Sequence, residues 1–91
     1  MAIRVEFYGL ARQRAGIAGL TLSLPAEART LDGVLEEVVR LLPLLGEELI
    51  AGGRLHSALA ANLDGQRFIS DPATPIRDGQ CVLILSADAG G

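Results

Sequence analysis

The spacing of the apolar residues changes twice along the chain, and each change limits the element that can form there. In "IRVEFY", Ile3, Val5 and Phe7 alternate with polar or amphipathic residues, which is the period of a strand buried on one face. "LTLSL" alternates in the same way after a glycine-containing loop and stops at Pro25. Two strands this close in sequence favour an antiparallel hairpin.

The apolar spacing lengthens to that of a helix in "TLDGVLEEVVRLLP". Its leucines and valines share one face, whereas the acidic residues and Arg40 fall on the other. Thr30 is a favourable N-cap, Asp32 complements the helix dipole, and Pro43 is a natural stop. The segment predicts one amphipathic helix, in which Gly33 costs about 1 kcal/mol relative to alanine.

Strand spacing returns in the second half of the chain. Residues 44–57 show no clear pattern beyond one possible helical turn before Gly52-Gly53. "ALAANL" then predicts a strand, Asp64-Gly65 favours a type I′ hairpin turn, and "RFI" predicts a short partner strand. The last apolar run, "CVLILS", is almost continuous, so we expect it to be a central strand.

This order of elements predicts an α+β domain in which a mixed sheet of about five strands packs on one main helix. A chain of 91 residues, 49% of them hydrophobic, has enough apolar surface for one small core and too little for two. We therefore expect one domain, residues 1–87, followed by a flexible C-terminal tail, residues 88–91.

The charges and apolar runs exclude several classes of partner. Eleven acidic and eight basic residues give a net charge of −3 without a clustered basic patch, so no nucleic acid is expected. No stretch approaches the ~20 apolar residues of a membrane helix, and Arg4 with Glu6 interrupts any signal peptide. We expect a cytoplasmic protein that binds no membrane.

Side chains for an internal active site are also missing from the sequence. His56 is the only histidine, and a lone loop histidine is more often a satisfied residue than a base or ligand. Cys81 is the only cysteine, and its apolar neighbours predict a small buried side chain. No triad, metal cluster or phosphate loop can be assembled. The sequence predicts a chain that is not an enzyme, with no metal site and no bound cofactor.

The sequence ends in "SADAGG", a few residues beyond the last core strand. Residues 87–91 span about 17 Å when extended at ~3.3–3.6 Å per residue, and glycine has no Cβ to block a narrow slot. A carboxylate is a poor electrophile, so acyl chemistry at Gly91 needs prior activation, typically adenylation with ATP. Because no residue of the chain can perform that step, we infer a carrier that partner enzymes modify.

Two features of the composition also have simpler explanations. A terminal glycine pair arises by chance in a glycine-rich chain, and Gly52-Gly53 is an internal example. All eight basic residues are arginines, which genomic bias alone explains. The absence of lysine nevertheless means that an activated Gly91 meets no side-chain amine within its own chain.

Several segments together resemble the MoaD/ThiS family of ubiquitin-like, β-grasp sulfur carriers. "IRVEFYGLARQRAG" resembles the family's first strand and the arginine that follows it, and "AANLDG" resembles its central Val-Asn segment. "LSLP" is a further match, and "DGQCVLILSADAGG" resembles the family's last strand and Gly-Gly terminus. The resemblance covers the chain almost from end to end and implies a β-grasp fold.

This resemblance implies a chemistry for the tail. An activating enzyme adenylates the terminal glycine with ATP, a persulfide or similar donor converts it to a thiocarboxylate, and a second enzyme takes the sulfur. Gly91 would carry the sulfur, and Gly90 would give it clearance. The partner-binding residues expected are Tyr8, Arg12, Leu85, the segment formed by Ser86, Ala87, Asp88 and Ala89, and, from its exposed hairpin position, Phe68.

The resemblance also implies the partners. They are an adenylating enzyme of the ubiquitin-activating type, a sulfur donor such as a rhodanese or cysteine desulfurase, and a sulfur acceptor. The first expectation for the acceptor is the large subunit of molybdopterin synthase, of which this chain would be the small subunit. Ser86 and Ala87 stand where such subunits often have two prolines, and Asp88 replaces a small apolar residue.

These departures leave other functions open. The sulfur could serve cysteine, thiamine or tRNA thiolation instead of molybdopterin. A ubiquitin-like modifier joined to lysines through Gly91 is a second class of function. An interaction module with an inert tail is the third.

Overall fold

The computed structural model describes residues 2–43, 46, 49–51 and 54–90. Seven strands and two α-helices are defined within them, together with the short 3-10 helices Ala26–Ala28 and Ala87–Gly90. None of the helices in these residues is long and apolar enough to cross a membrane. The bounds are β1 (Ile3–Phe7), α1 (Gly9–Ala15), β2 (Gly19–Leu22), α2 (Leu31–Leu41), β3 (Ile50–Ala51), β4 (Arg54–Leu55), β5 (Leu59–Leu63), β6 (Arg67–Ile69) and β7 (Cys81–Ser86).

Five of the strands form one mixed sheet in the order β2-β1-β7-β5-β6. β7 is central, parallel to β1 and antiparallel to β5, while the outer pairs are antiparallel hairpins. The predictions of two hairpins and of a central last strand are therefore confirmed. A separate antiparallel pair, β3 and β4, lies in the segment that has no clear hydrophobic pattern.

The core lies between one face of this sheet and α2. Alternate residues of β1 and β7 are buried, as the period of β1 predicts, and with Leu59, Ala61 and Leu63 of β5 they form one cluster with the apolar side chains of α2. The sheet contributes Ile3, Val5, Phe7, Leu22, Leu59, Ala61, Leu63, Ile69, Val82 and Ile84, and the helix contributes Leu31, Val34, Leu35 and Val38.

α2 begins and ends close to where the sequence predicts. The Thr30 hydroxyl accepts a hydrogen bond from the Gly33 N–H at 3.1 Å, which confirms the N-cap, and the helix ends at Leu41. A Cβ at Gly33 would lie 1.9 Å from the Ala28 carbonyl oxygen. The glycine is therefore required by the close approach of the 3-10 helix, and this explains why a poor helix former occupies the first turn.

The Asp64-Gly65 turn is also as predicted. Both residues have positive φ, 57° and 72°, which is the conformation of a type I′ turn. The Asp64 carboxylate additionally accepts hydrogen bonds from the Cys81 N–H at 2.8 Å and from the Gln80 amide at 3.1 Å. The turn is thus joined to the start of β7.

α1 occupies a segment that the sequence assigned to a loop, and that prediction was wrong for Gly9–Ala15. The helix is short, and its fully buried residues are the alanines Ala11 and Ala15, so its apolar face gives little signal in the sequence. Gly16, with a φ of 74°, ends it in the left-handed conformation. The helical turn expected within residues 44–57 falls largely on residues outside the described ranges.

Candidate functional site

The C-terminal tail leaves the sheet from its central strand. The Ala87 N–H donates a hydrogen bond to the Ala58 carbonyl at 2.9 Å, so the first residue after β7 is still attached to the body. Ala87–Gly90 then form a 3-10 helix next to β5, whereas the sequence showed only that residues 87–91 could extend about 17 Å. The division at residue 87 and the flexibility of the tail stay predictions. Gly91 lies outside the described residues.

Tyr8 and the start of α1 lie beside the end of β7. The Tyr8 N–H donates to the Ile84 carbonyl at 2.9 Å, and the Leu10 N–H donates to the Ser86 hydroxyl at 3.1 Å. Tyr8 is 43% exposed, and the exposed Arg12 lies one turn further along α1. The structure therefore brings three residues that the resemblance implied, Tyr8, Arg12 and Ser86, to the end of the sheet from which the tail departs.

The face of the sheet opposite α2 carries two more of the predicted residues. Cross-strand partners share a face, and the register pairs Asn62 with both Phe68 and Leu83, and Ala60 with Leu85. Phe68 is 50% exposed and Leu85 is half-buried. We call this surface the open face; it consists of Arg4, Glu6, Ala60, Asn62, Phe68, Cys81, Leu83 and Leu85.

The charges of the open face are largely paired with one another. Glu6 lies 3.7 Å from the Arg4 guanidinium and also accepts a hydrogen bond from the Tyr8 hydroxyl. That hydrogen bond raises the pKa of Tyr8, with smaller contributions from desolvation and from the Glu6 charge. The Arg4 and Glu6 charges therefore offset each other on the open face.

Cys81 lies on the open face and is half-buried, not buried as the sequence predicted. The prediction failed because the apolar run of β7 hides its alternation: Val82 and Ile84 face the core, and Cys81 faces away from it. Desolvation, followed by the charge of Glu6, raises the pKa of the Cys81 thiol to about 11. The thiol is therefore protonated at neutral pH and a weak nucleophile.

Asn62 is the polar residue of the open face that sequence reasoning did not single out. It is only 9% exposed, and its Oδ1 is buried without a hydrogen-bond partner in the part of the chain that the structure describes. An orphaned buried acceptor costs about 1–3 kcal/mol. The signal in the sequence was a single amide side chain inside the otherwise apolar strand "ALAANL".

His56 is held in a local turn. Its Nδ1 accepts a hydrogen bond from the Ala58 N–H at 3.0 Å, which agrees with its interpretation as a satisfied loop residue. Within the described ranges, no three His, Cys, Asp or Glu side chains lie close enough together to hold a metal ion. The surface that the described residues offer for recognition is the open face, on which Phe68 is exposed.

Comparison with known proteins gives matches among solved structures. No family model matches the chain, and no curated protein matches it. The crystal structure of SAMP1 from Haloferax volcanii is 14% identical, with a TM-score of 0.81 and complete coverage of both chains. A putative molybdopterin converting factor subunit 1 from Pyrococcus furiosus is 20% identical, with a TM-score of 0.73, over 94% of this chain and 97% of that one.

A third similar structure is a complex. The Amycolatopsis orientalis BexX/CysO complex matches with 19% identity and a TM-score of 0.73, over 99% of this chain and 100% of the matched one. At these identities the likeness is one of fold. The chain is therefore an α+β, ubiquitin-like β-grasp domain with the architecture of SAMP1, molybdopterin converting factor subunit 1 and CysO, the fold that the MoaD/ThiS resemblance implied.

Proposed function

We propose that this chain is a sulfur carrier of the MoaD/ThiS type, which receives and donates sulfur as a thiocarboxylate on Gly91. The observation that carries the proposal is the placement of the tail: the central strand of a β-grasp sheet leads, after Ser86, directly into the segment that ends in Gly90-Gly91. The exposed residues nearest to that point are those expected to face a partner.

The carboxylate of Gly91 cannot react until it is activated. A partner enzyme converts it with ATP into an acyl adenylate and releases pyrophosphate. The persulfide of a sulfur donor then attacks the carbonyl carbon and displaces AMP, and reduction of the acyl disulfide by a thiol leaves the thiocarboxylate. In this scheme the chain itself contributes the recognition surface and the acyl group, and the partners contribute the chemistry.

The tail must change shape to enter such an active site. Within the described residues, a hydrogen bond from Ala87 to Ala58 and one short 3-10 helix hold it against the body. Short 3-10 helices have poor hydrogen-bond geometry, so little stability is lost when residues 88–90 extend. Gly90 and Gly91 can then adopt any backbone conformation that a narrow channel requires.

Molybdopterin synthesis, with this chain as the small subunit of molybdopterin synthase, is the acceptor pathway that we propose first. It is supported by the likeness to molybdopterin converting factor subunit 1. The matched BexX/CysO complex adds that a chain of this fold assembles with a second protein. Cysteine, thiamine and tRNA thiolation are the alternative destinations of the sulfur.

A protein modifier is the second candidate function, and two observations favour it. Of the three structures compared above, SAMP1 has the highest TM-score. A further similar structure is that of the small archaeal modifier protein 1 from H. volcanii. The chain also contains no lysine, so it offers no side-chain amine to its own activated terminus. A modifier would leave Gly91 in isopeptide linkage to lysines of other proteins.

Reconstitution with candidate partners separates these functions. The chain is incubated with ATP, a persulfide donor and the adenylating enzyme of its own organism, and then with the large subunit of molybdopterin synthase and its substrate. Sulfur transfer to that substrate supports the first proposal. A thiocarboxylate that this subunit does not use redirects the search to another acceptor, and Gly91 recovered on lysines identifies a modifier. A chain lacking Gly91 is the control for each step.

A further inference from the structure

A groove of about 500 Å³ lies on the side of the sheet that faces α2, at the end of β6. β6 ends at Ile69, which pairs with Ala61 of β5. The preceding residues of β5, Leu59 and Ala60, therefore pair with β7 on one side and with no described strand on the other. The start of α2 and β4 close the gap. The groove is apolar at its base, which is formed by Leu31, Leu35, Leu59, Ala61 and Ile69.

The tail begins at the rim of this groove. Ala87, the first residue after β7, is one of its lining residues, and the 3-10 helix Ala87–Gly90 continues from there. Ser57 lines the groove beside the Ala58 carbonyl that holds Ala87 in place. The chain therefore reaches the groove just before its last four residues.

The rim also carries groups that recognise a carboxylate. Arg54 is exposed, and none of the ion pairs among the described residues includes it. His56 accepts a hydrogen bond at Nδ1, so in the neutral ring Nε2 carries the proton and is a donor. Asp32 is the acidic residue of the lining and belongs to the first turn of α2, whereas Arg54 and His56 belong to β4 and the turn after it.

We propose that the groove binds the C-terminal tail of the same chain, with the Gly91 carboxylate paired to Arg54. The small residues Ala89, Gly90 and Gly91 match the apolar base, and the terminal carboxylate matches the Arg54 guanidinium, which lies on β4, whereas Asp32 lies on α2. A volume of 500 Å³ corresponds to a cube of roughly 8 Å. The four residues after Ala87 span about 8 Å at the ~2.0 Å rise of a 3-10 helix and up to ~13–14 Å when extended, so the tail is long enough to cross the groove in either conformation. The consequence rests on the proposed function: a docked Gly91 is withheld from the activating enzyme until a partner releases it.

NMR spectroscopy of the free protein tests this docking. Three chains that end at Gly91 are compared: the natural sequence, Arg54→Gln, and Arg67→Gln as a matched control at the far end of β6. A fourth chain lacks Gly90 and Gly91. We expect the truncation and Arg54→Gln to shift the same groove amides, those of Leu31, Leu35 and Ile69, and Arg54→Gln to increase the picosecond–nanosecond mobility of Gly90. Arg67→Gln should leave both unchanged.

The opposite pattern overturns the proposal. It is refuted if truncation shifts only residues that adjoin the tail, 86–89 and 57–58, and if Gly90 is equally mobile with and without Arg54. Shifts that weaken on dilution also refute it, because they would show docking between copies. The spectra are recorded without the activating enzyme, so they test docking independently of the carrier function. If the tail docks but no thiocarboxylate forms, only the carrier function is refuted. If a thiocarboxylate forms on a tail that does not dock, only the docking is refuted.

Discussion

The hydroxyl of Ser86 accepts a hydrogen bond from the N–H of Leu10 at 3.1 Å, across 76 residues of sequence. The N-cap of α1, Tyr8, makes no side-chain cap, so Ser86 satisfies one of the free N–H groups at the start of that helix. The last residue of the central strand is thereby fixed to the segment that carries Tyr8 and Arg12. The base of the tail and the segment that carries Tyr8 and Arg12 are thus held together by a hydrogen bond outside the sheet.

Replacing Ser86 with alanine should therefore destabilise the fold. The Leu10 N–H would lose its acceptor, and we expect the free energy of unfolding to fall by about 1 kcal/mol, the usual cost of losing a helix cap. Urea unfolding followed by circular dichroism measures this change. Ser70→Ala, at an exposed position, is the control and should leave the stability unchanged. Equal stability of the two variants would show that the Ser86 hydroxyl does not contribute to the free energy of unfolding.

Replacing Asn62 with leucine should have the opposite effect. The substitution removes a buried acceptor without a described partner and retains a side chain of similar size, so we expect the free energy of unfolding to rise by about 1 kcal/mol. Asn62→Asp, which would bury a charge at the same place, should lower it. If Asn62→Leu destabilises the protein, the amide makes an interaction that accounts for its burial.

The thiol of Cys81 should be slow to react and should titrate only in alkaline solution. Its pKa is raised from 9.0 to about 11, so near neutral pH we expect alkylation by iodoacetamide to be about 100-fold slower than in urea-unfolded protein. The contribution of the raised pKa to the free energy of unfolding is fully present below pH 9. It is lost as the pH rises toward 11, because the thiol of the unfolded chain ionises first. In Cys81→Ser, the free energy of unfolding should not show this decrease between pH 9 and 11. Equal alkylation rates in both states would contradict the assignment.

Phe68 should contribute to partner binding without supporting the fold. It is 50% exposed on the open face, and we expect Phe68→Ala to lower kcat/KM for adenylation by about 10-fold, the effect of removing an aromatic interface residue. The assay is ATP–pyrophosphate exchange by the activating enzyme. Ile17→Ala is the matched control, because Ile17 is 37% exposed but lies outside the open face. Identical kinetics for the two variants would remove Phe68 from the interface.

Much of the fold could be predicted because it depends on local patterns. The alternation of Ile3, Val5 and Phe7 identified the buried side of β1, and Thr30 marked the start of α2 through a hydrogen bond within one turn. Asp64-Gly65 has a preferred turn conformation of its own. Each of these features is determined by residues that are neighbours in sequence.

The remaining features depend on residues that are far apart in sequence. α1 is stabilised by the burial of two alanines and by Ser86, and neither contribution produces a hydrophobic period. The orientation of Cys81 follows from the register of β7 with its neighbours. The groove beside Ala87 and the burial of Asn62 likewise arise only when β5, β6 and the tail meet. The predicted residues Tyr8, Phe68 and Leu85 came from resemblance and position, not from any local pattern.

Mass spectrometry of the C-terminal peptide of untagged protein, isolated from its own cells, tests the proposed carrier function. We expect a fraction of chains in which sulfur replaces one terminal oxygen of Gly91, and this fraction should disappear when the adenylating enzyme is absent. A terminus that is always a plain carboxylate, or a Gly91 found only in linkage to lysines of other proteins, would contradict it.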